Sequence, residues 1–385
     1  MEDEMKYLSL FSGYGGFELG IQQAYERTIN EVEQRRCGQA ESELETTMPL
    51  PSCESLLRQH PTCIGFSEID KYAIQVYKKH FPYEECESCR LRRLQQNDCQ
   101  RPKERNDTEN ELEQWELPNN CKCKNKEYGD IKTINASDLP DFDLLVGGFP
   151  CQAFSIAGKR AGFEDTRGTL IYDVFRIIKE KHPRLVLLEN VKGLLSHDSG
   201  RTFKTIITSL AELGYAVEWQ VLNAKNFGVP QNRERVFIVG HLRGFGGRQV
   251  FPIRESNSGD MEEYGERERI CSNTLKARDY KGGGNLWADE QDSQERRNQS
   301  DNSNSIRRTP YTDGMRIRRL TPIECERLMG LPDGWTEYGY AGEIGVDEKG
   351  LGYKKLNKIS DTQRYKLCGN GVVVNVVEEI IKRLI

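Results

Sequence analysis

Long apolar runs are missing from this 385-residue chain. Nowhere do enough apolar residues follow one another to cross a bilayer, so no membrane association is expected. The opening residues Met1-Glu2-Asp3-Glu4 are acidic where a secretory signal would be basic, which points to an intracellular, cytoplasmic location. A dominant charge of either sign is also lacking. The formal net charge of -5 gives no overall attraction to a polyanion and leaves any such contact to a local basic surface. The 12 cysteines predict no disulfide framework, because thiols stay reduced inside a cell and a few of them serve metals or catalysis. The contents of 36% hydrophobic and 9% aromatic residues are globular values, and a mean hydropathy of -0.71 marks polar stretches between the apolar ones. The length suffices for one large core or two ordinary ones.

Short apolar runs alternate with helical spacing, which predicts a doubly wound, mostly parallel α/β sheet. Residues 6–12 read as a strand that ends in Gly13-Tyr14-Gly15-Gly16, with a helix from Phe17 toward Arg27. Such a βα turn lets a backbone approach a ligand closely, although glycines also serve ordinary tight turns. A polar insertion at about 28–59 separates it from the strand 63–68, whose last residue, Glu68, stands where a carboxylate can accept from ribose hydroxyls. A helix over 71–80 precedes a second insertion, about 83–127, and order resumes at Tyr128. Further on come a helix over 167–181, a strand over 185–188 ending in Glu189-Asn190, a helix over 203–213, and strands over 216–222 and 236–239. From about His241 to Met315 the periodicity fails, which leaves a small irregular module or a solvated linker. Thr321, Pro322 and Glu324 form a capping box, and an amphipathic helix closes the chain over 375–384.

The most reactive-looking position is Cys151, delivered by the apolar run Leu144-Leu145-Val146 into the turn Gly147-Gly148-Phe149-Pro150. Glycines and proline stop a strand, so the thiol is expected at a strand's carboxyl edge, where open α/β sheets bind ligands. A small buried hydrophobe is the other reading of the same residue. Glu189 sits at a neighbouring strand end, either as a proton-holding carboxyl or as a cap or ion-pair partner. Arg233 and Arg235 flank Glu234 and are expected on one face of a strand, aimed into the pocket or solvated. In the second insertion Cys86, Cys89, Cys121 and Cys123 have paired short spacings that suit a structural zinc, or are simply reduced loop thiols.

The segments LSLFSGYGGF, GFSEID, GFPCQAFS, LLENVKGL, QNRERVFIVG, RRLTPIECERLMGLPDGW and LCGNGV occur in this order, and the chain as a whole resembles the cytosine-5 DNA methyltransferase family. The resemblance implies a bacterial or phage-type enzyme that takes S-adenosylmethionine, flips a cytosine out of double-stranded DNA and methylates carbon 5. Residues 1–240 would be the catalytic domain, 241–320 the target-recognition domain and 321–385 a closing segment whose terminal helix packs back. Phe11, Gly13, Gly15, Gly16, Glu68, Ile69, Asp130, Ile131, Pro150, Leu170 and Asn370 would surround the methyl donor. Of these, Ile69 and Leu170 have plain core packing as their alternative, and Asp130 a turn. Cys151 would attack carbon 6, Glu189 would hold a proton against ring nitrogen 3, Arg235 would bind the ring carbonyl, and Arg233 would support the cysteine loop or a phosphate. Gln152, Ser155, Lys159 and Arg160 would belong to a loop that closes over the flipped base. A monomer, with a cognate restriction endonuclease as partner, is the expected setting. An RNA cytosine-5 methyltransferase, a non-catalytic DNA-binding protein and a thiol oxidoreductase are the competing readings.

Overall fold

The computed structural model describes residues 4–39, 61–84, 124–150, 170–254, 272–273, 286–289, 316–346 and 352–385. The first part of the chain forms strands β1 (Lys6–Leu10), β2 (Thr62–Ser67), β3 (Lys126–Glu127), β4 (Leu144–Gly148), β5 (Leu185–Val191), β6 (Tyr215–Asn223), β7 (Gln231–Asn232) and β8 (Glu234–Leu242), most of them from the apolar runs. Seven of them make one sheet in the order β3-β2-β1-β4-β5-β8-β6, in which β8 alone runs against the rest. This is the doubly wound, mostly parallel sheet that the alternating pattern predicts. After β1 the chain goes to β2 on one side and later to β4 on the other, so the carboxyl ends of β1 and β4 flank a topological switch point.

Helices cover both faces. On one side α1 (Gly16–Gln39) and α2 (Lys71–His80) pack with the C-terminal helices; on the other lie α3 (Leu170–Lys181) and α4 (Arg201–Glu212). Strand alternation divides β1 between the two layers, with Tyr7 in the first core and Leu8 and Leu10 in the second. Asp70 starts α2 by accepting from the backbone N–H groups of Tyr72 and Ala73.

The remaining elements are β9 (Ser272–Asn273), β10 (Leu286–Asp289), β11 (Arg316–Arg319), α5 (Pro322–Leu328), β12 (Tyr338–Val346), β13 (Gly352–Lys358), α6 (Asp361–Asn370) and α7 (Val374–Leu384). The capping box forms at Thr321 and Glu324, with Pro322 in the first turn. Helix α7 buries Val374, Val376, Val377, Ile380 and Ile381 and lies along α1, where Val377 fills the space above Gly20. Each such side chain contributes about 1.5–3 kcal/mol on burial, so this helix is tied firmly to the first βα unit. Behind α5, Glu326 and Arg364 form a buried ion pair at 2.9 Å, and Glu326 also accepts from the N–H groups of Gly334 and Thr336.

Three expectations change. Helix α1 continues to Gln39, into the first part of what reads as the first insertion, because Glu, Gln and Arg are good helix formers without an apolar stripe. Ordered pairing resumes before Tyr128, with Glu84 bridged to Lys124 and β3 added to the edge of β2. Past β8, Val250, Phe251 and Ile253 are buried rather than part of an irregular module. Glu218 accepts from the N–H groups of Val250 and Phe251, and Gln220 bonds both the N–H and the carbonyl of Ile253, so this strap is held by two side chains on one face of β6. Among the described residues no helix is long and apolar enough to cross a membrane.

Candidate active site

The carboxyl ends of β1, β2, β4 and β5 open on a cavity of about 600 Å³. At its first end, Phe11 and Gly13 take left-handed conformations with φ of 55° and 57°, which turn the chain sharply off β1. The turn is closed by Gly15 N–H donating to the Ser12 carbonyl at 2.9 Å. Gly13 N–H donates to Glu68 Oε2 at 2.9 Å, while Glu68 Oε1 accepts from Ile69 and Asp70 N–H at 2.8 and 2.9 Å. Three backbone donors thus fix an acceptor-rich carboxylate, and its fourth acceptor position remains for a hydroxyl. Beside it the Ile69 side chain is 73% exposed, an apolar surface of the kind a flat ring covers. Asp130 also lines the cavity and caps a short turn by accepting from Lys132 N–H at 3.0 Å.

The other end is built by β4, β5 and β8. Gly148 is in register with Glu189, and a Cβ on Gly148 would lie 3.1 Å from Glu189 Oε2, so the glycine leaves room for the carboxyl. Glu189 is 13% exposed and pairs with Arg235 Nε at 3.0 Å. Burial pushes the Glu189 carboxyl above its ordinary pKa, against the pull of Arg235 and Arg233. Asn190, which reading the sequence left without a role, is buried and donates to the Phe149 carbonyl at 2.8 Å while accepting from Val191 N–H. It clamps the turn that leads to Pro150. A polar amide beside Glu189 at the end of an apolar strand was the available signal.

Phe11, Gly13, Gly16, Glu68, Ile69, Asp130, Ile131, Pro150, Leu170, Glu189, Arg233, Arg235 and Asn370 all line this one cavity. Gly15 does not join them: a Cβ on it would run into the Phe81 ring, so it serves the packing beneath the turn. Arg233 precedes β8 and is 2% exposed. Its Nη2 donates to the carbonyls of Gly369 and Gly371 at 3.2 and 2.6 Å, and its N–H to Asn223 Oδ1 at 3.1 Å. Burial and the neighbouring Arg235 lower the Arg233 guanidinium to about 10. Cys151, Gln152, Ser155, Lys159 and Arg160 lie outside the described residues, as do Cys86, Cys89, Cys121 and Cys123. Among the described residues no group of three or more His, Cys, Asp or Glu could hold a metal ion.

One end of the cavity therefore presents a carboxylate acceptor beside an apolar ledge, and the other a carboxyl of raised pKa paired with a guanidinium. Comparison with known proteins gives that division a context. The sequence profile described as C-5 cytosine-specific DNA methylase matches residues 107–310 and 256–385. Type II methyltransferase M1.ScrFI of Lactococcus lactis subsp. cremoris is 38% identical over 67% of this chain and 66% of its own length. Type II methyltransferase M.NlaX of Neisseria lactamica is 31% identical over 98% of this chain and 96% of its own. The solved S. pombe Dnmt2 methyltransferase shares the fold, with a TM-score of 0.51 at 16% identity over 98% of this chain and 97% of that one.

Proposed function

Because this chain belongs to the C-5 cytosine-specific DNA methylase family, we propose that it methylates carbon 5 of cytosine in a short duplex DNA sequence, using the cavity at the ends of β1, β2, β4 and β5. The observation that carries this reading is the buried pair Glu189–Arg235 at 3.0 Å, on the cavity wall next to the turn that runs into Cys151. The donor side fits S-adenosylmethionine by its chemistry. Glu68 offers a fixed acceptor for a sugar hydroxyl, Ile69 an exposed apolar ledge for a purine, and the open space at the Gly13 Cβ position admits close approach. A cavity of about 600 Å³ is in the usual range for a ligand of that size. When bound, S-adenosylmethionine supplies an electrophilic methyl group on a sulfonium.

Carbon 5 of cytosine is too weak a nucleophile to take that methyl unaided. The Cys151 thiolate adds to carbon 6 and moves electron density onto carbon 5, which divides one hard step into easier ones. The Glu189 carboxyl, whose pKa burial raises, shares a proton with ring nitrogen 3 as the enamine develops. Arg235, already held against Glu189, stabilises the ring carbonyl oxygen with a forked donor. Once carbon 5 carries the methyl group, its proton passes to water, the freed electron pair re-forms the carbon 5–carbon 6 double bond and expels the Cys151 thiolate, and the proton on nitrogen 3 returns to Glu189. None of these atoms is accessible in stacked DNA, so the target base leaves the helix to enter the cavity.

The relatives named as Type II methyltransferases favour a restriction-modification setting, with a cognate endonuclease as partner. Incubating the protein with methyl-labelled donor and either duplex DNA or RNA tests the substrate: label in DNA cytosine supports this reading, and label confined to RNA replaces it with the RNA enzyme.

A further inference from the structure

Behind the donor side of the cavity, the segment 369–372 spans the C-terminal end of α6. The last carbonyls of a helix have no partner within it and carry its negative end, so they favour a cation or another donor. Arg233 supplies one, reaching from the elbow between β7 and β8 to the carbonyls of Gly369 and Gly371. Tyr14, from the glycine turn, donates its hydroxyl to the Val372 carbonyl at 2.6 Å and is itself held by Trp335 Nε1, which donates to the Tyr14 carbonyl at 3.0 Å. A Cβ on Gly371 would strike the Tyr14 ring, so the three parts meet without slack. The residues so gripped, Asn370 among them, face the cavity. Two positions beyond Arg233, Arg235 pairs with Glu189 at the opposite end.

We propose that Arg233 is a positioning residue: it caps the C-terminus of α6, fixes 369–372 as the donor-side wall, and ties that wall to the strand carrying Arg235, while touching neither substrate. The inference rests on the methyltransferase reading for the identity of the donor. A guanidinium is suited to the task because its planar fork serves two carbonyls at once, whereas a lysine offers one point charge on a flexible stem.

Arg233→Met and Arg233→Lys test it, compared with the unaltered protein by amide hydrogen exchange over 366–373, by calorimetric binding of S-adenosylhomocysteine, and by steady-state methylation. The Met variant should exchange faster in that segment and bind S-adenosylhomocysteine about tenfold more weakly, as expected for a lost charge-assisted hydrogen bond. Its KM for the methyl donor should rise while kcat at saturation stays within about threefold, the signature of lost uniform binding. The Lys variant should fall between the two proteins. Unchanged exchange and unchanged affinity, together with a large fall in kcat, would overturn the proposal and make Arg233 a catalytic contact. If neither variant folds, Tyr14→Phe loosens the same wall from the other side: faster exchange with weaker binding supports the proposal, and no change in either refutes it. Failure of the unaltered protein to bind S-adenosylhomocysteine would refute the methyltransferase reading instead, leaving the exchange result to decide the role of Arg233.

Discussion

Glu189 Oε1 lies 3.0 Å from Arg235 Nε, across the antiparallel pair β5–β8, with both side chains nearly buried at the cavity wall. The register places Arg235 opposite Val191, two residues past Glu189, so the pair runs diagonally between neighbouring strands. Such a diagonal is within reach of long side chains. The carboxyl is subject to two opposed effects, burial that favours its neutral form and two arginines that favour its charged form, and burial prevails. A group balanced in this way can pass a proton to a substrate ring and take it back.

Glu189→Gln keeps the shape of the side chain but cannot share a proton in the same way. Methyl transfer should fall by about 10²–10⁴-fold, the usual contribution of a positioned proton donor. Because the pKa of Glu189 is raised, the unaltered enzyme keeps its proton to higher pH and loses kcat on the alkaline side. A kcat profile against pH should show that fall in the unaltered protein and not in the Gln variant; an identical fall in both would assign it to another group.

Glu68 is held by three backbone N–H donors, and the turn at Gly13 depends on one of them. Glu68→Ala should therefore weaken S-adenosylhomocysteine binding by at least about tenfold, through the lost hydroxyl contact and the released turn. Equilibrium titration measures this directly. Unchanged affinity would remove Glu68 from the donor site.

Glu18 bears on stability rather than chemistry. It is fully buried in the first turn of α1, accepts from the Tyr77 hydroxyl at 3.0 Å, and burial raises its pKa from 4.5 to about 7. Between pH 4.5 and 7 the folded chain holds this proton and the unfolded chain does not, so stability falls as pH rises and the loss is complete above 7. The span corresponds to about 3 kcal/mol. Glu18→Gln should cancel this contribution, so that denaturant midpoints at pH 8 are higher in the variant and those at pH 4.5 nearly equal. Equal midpoints at pH 8 would contradict the buried carboxyl as the source.

Much of this arrangement was legible in the residues, and the misses have physical causes. The strand ends, the glycine turn and the capping box at Thr321 announce themselves through periodicity and local hydrogen-bond chemistry. The extension of α1 to Gln39 does not, because a helix without an apolar stripe reads like a polar loop. The strap at Val250–Phe251–Ile253 is too short to carry a period, and it is held by Glu218 and Gln220, more than thirty positions earlier. The burial of Arg233 was hidden for a related reason: its carbonyl partners, Gly369 and Gly371, leave no complementary charge in the sequence. Arg235 looks the same on paper, yet its partner is a carboxylate.

Methylation of DNA cytosine at carbon 5, activated by addition of the Cys151 thiolate to carbon 6, is tested most directly by one measurement. The unaltered protein and Cys151→Ala are expressed in a host without cytosine methylation, and 5-methylcytosine is mapped across the genome. The expected result is methylation at copies of one short sequence with the unaltered protein and none with the variant. No 5-methylcytosine with the unaltered protein, or the same pattern with Cys151→Ala, would contradict it.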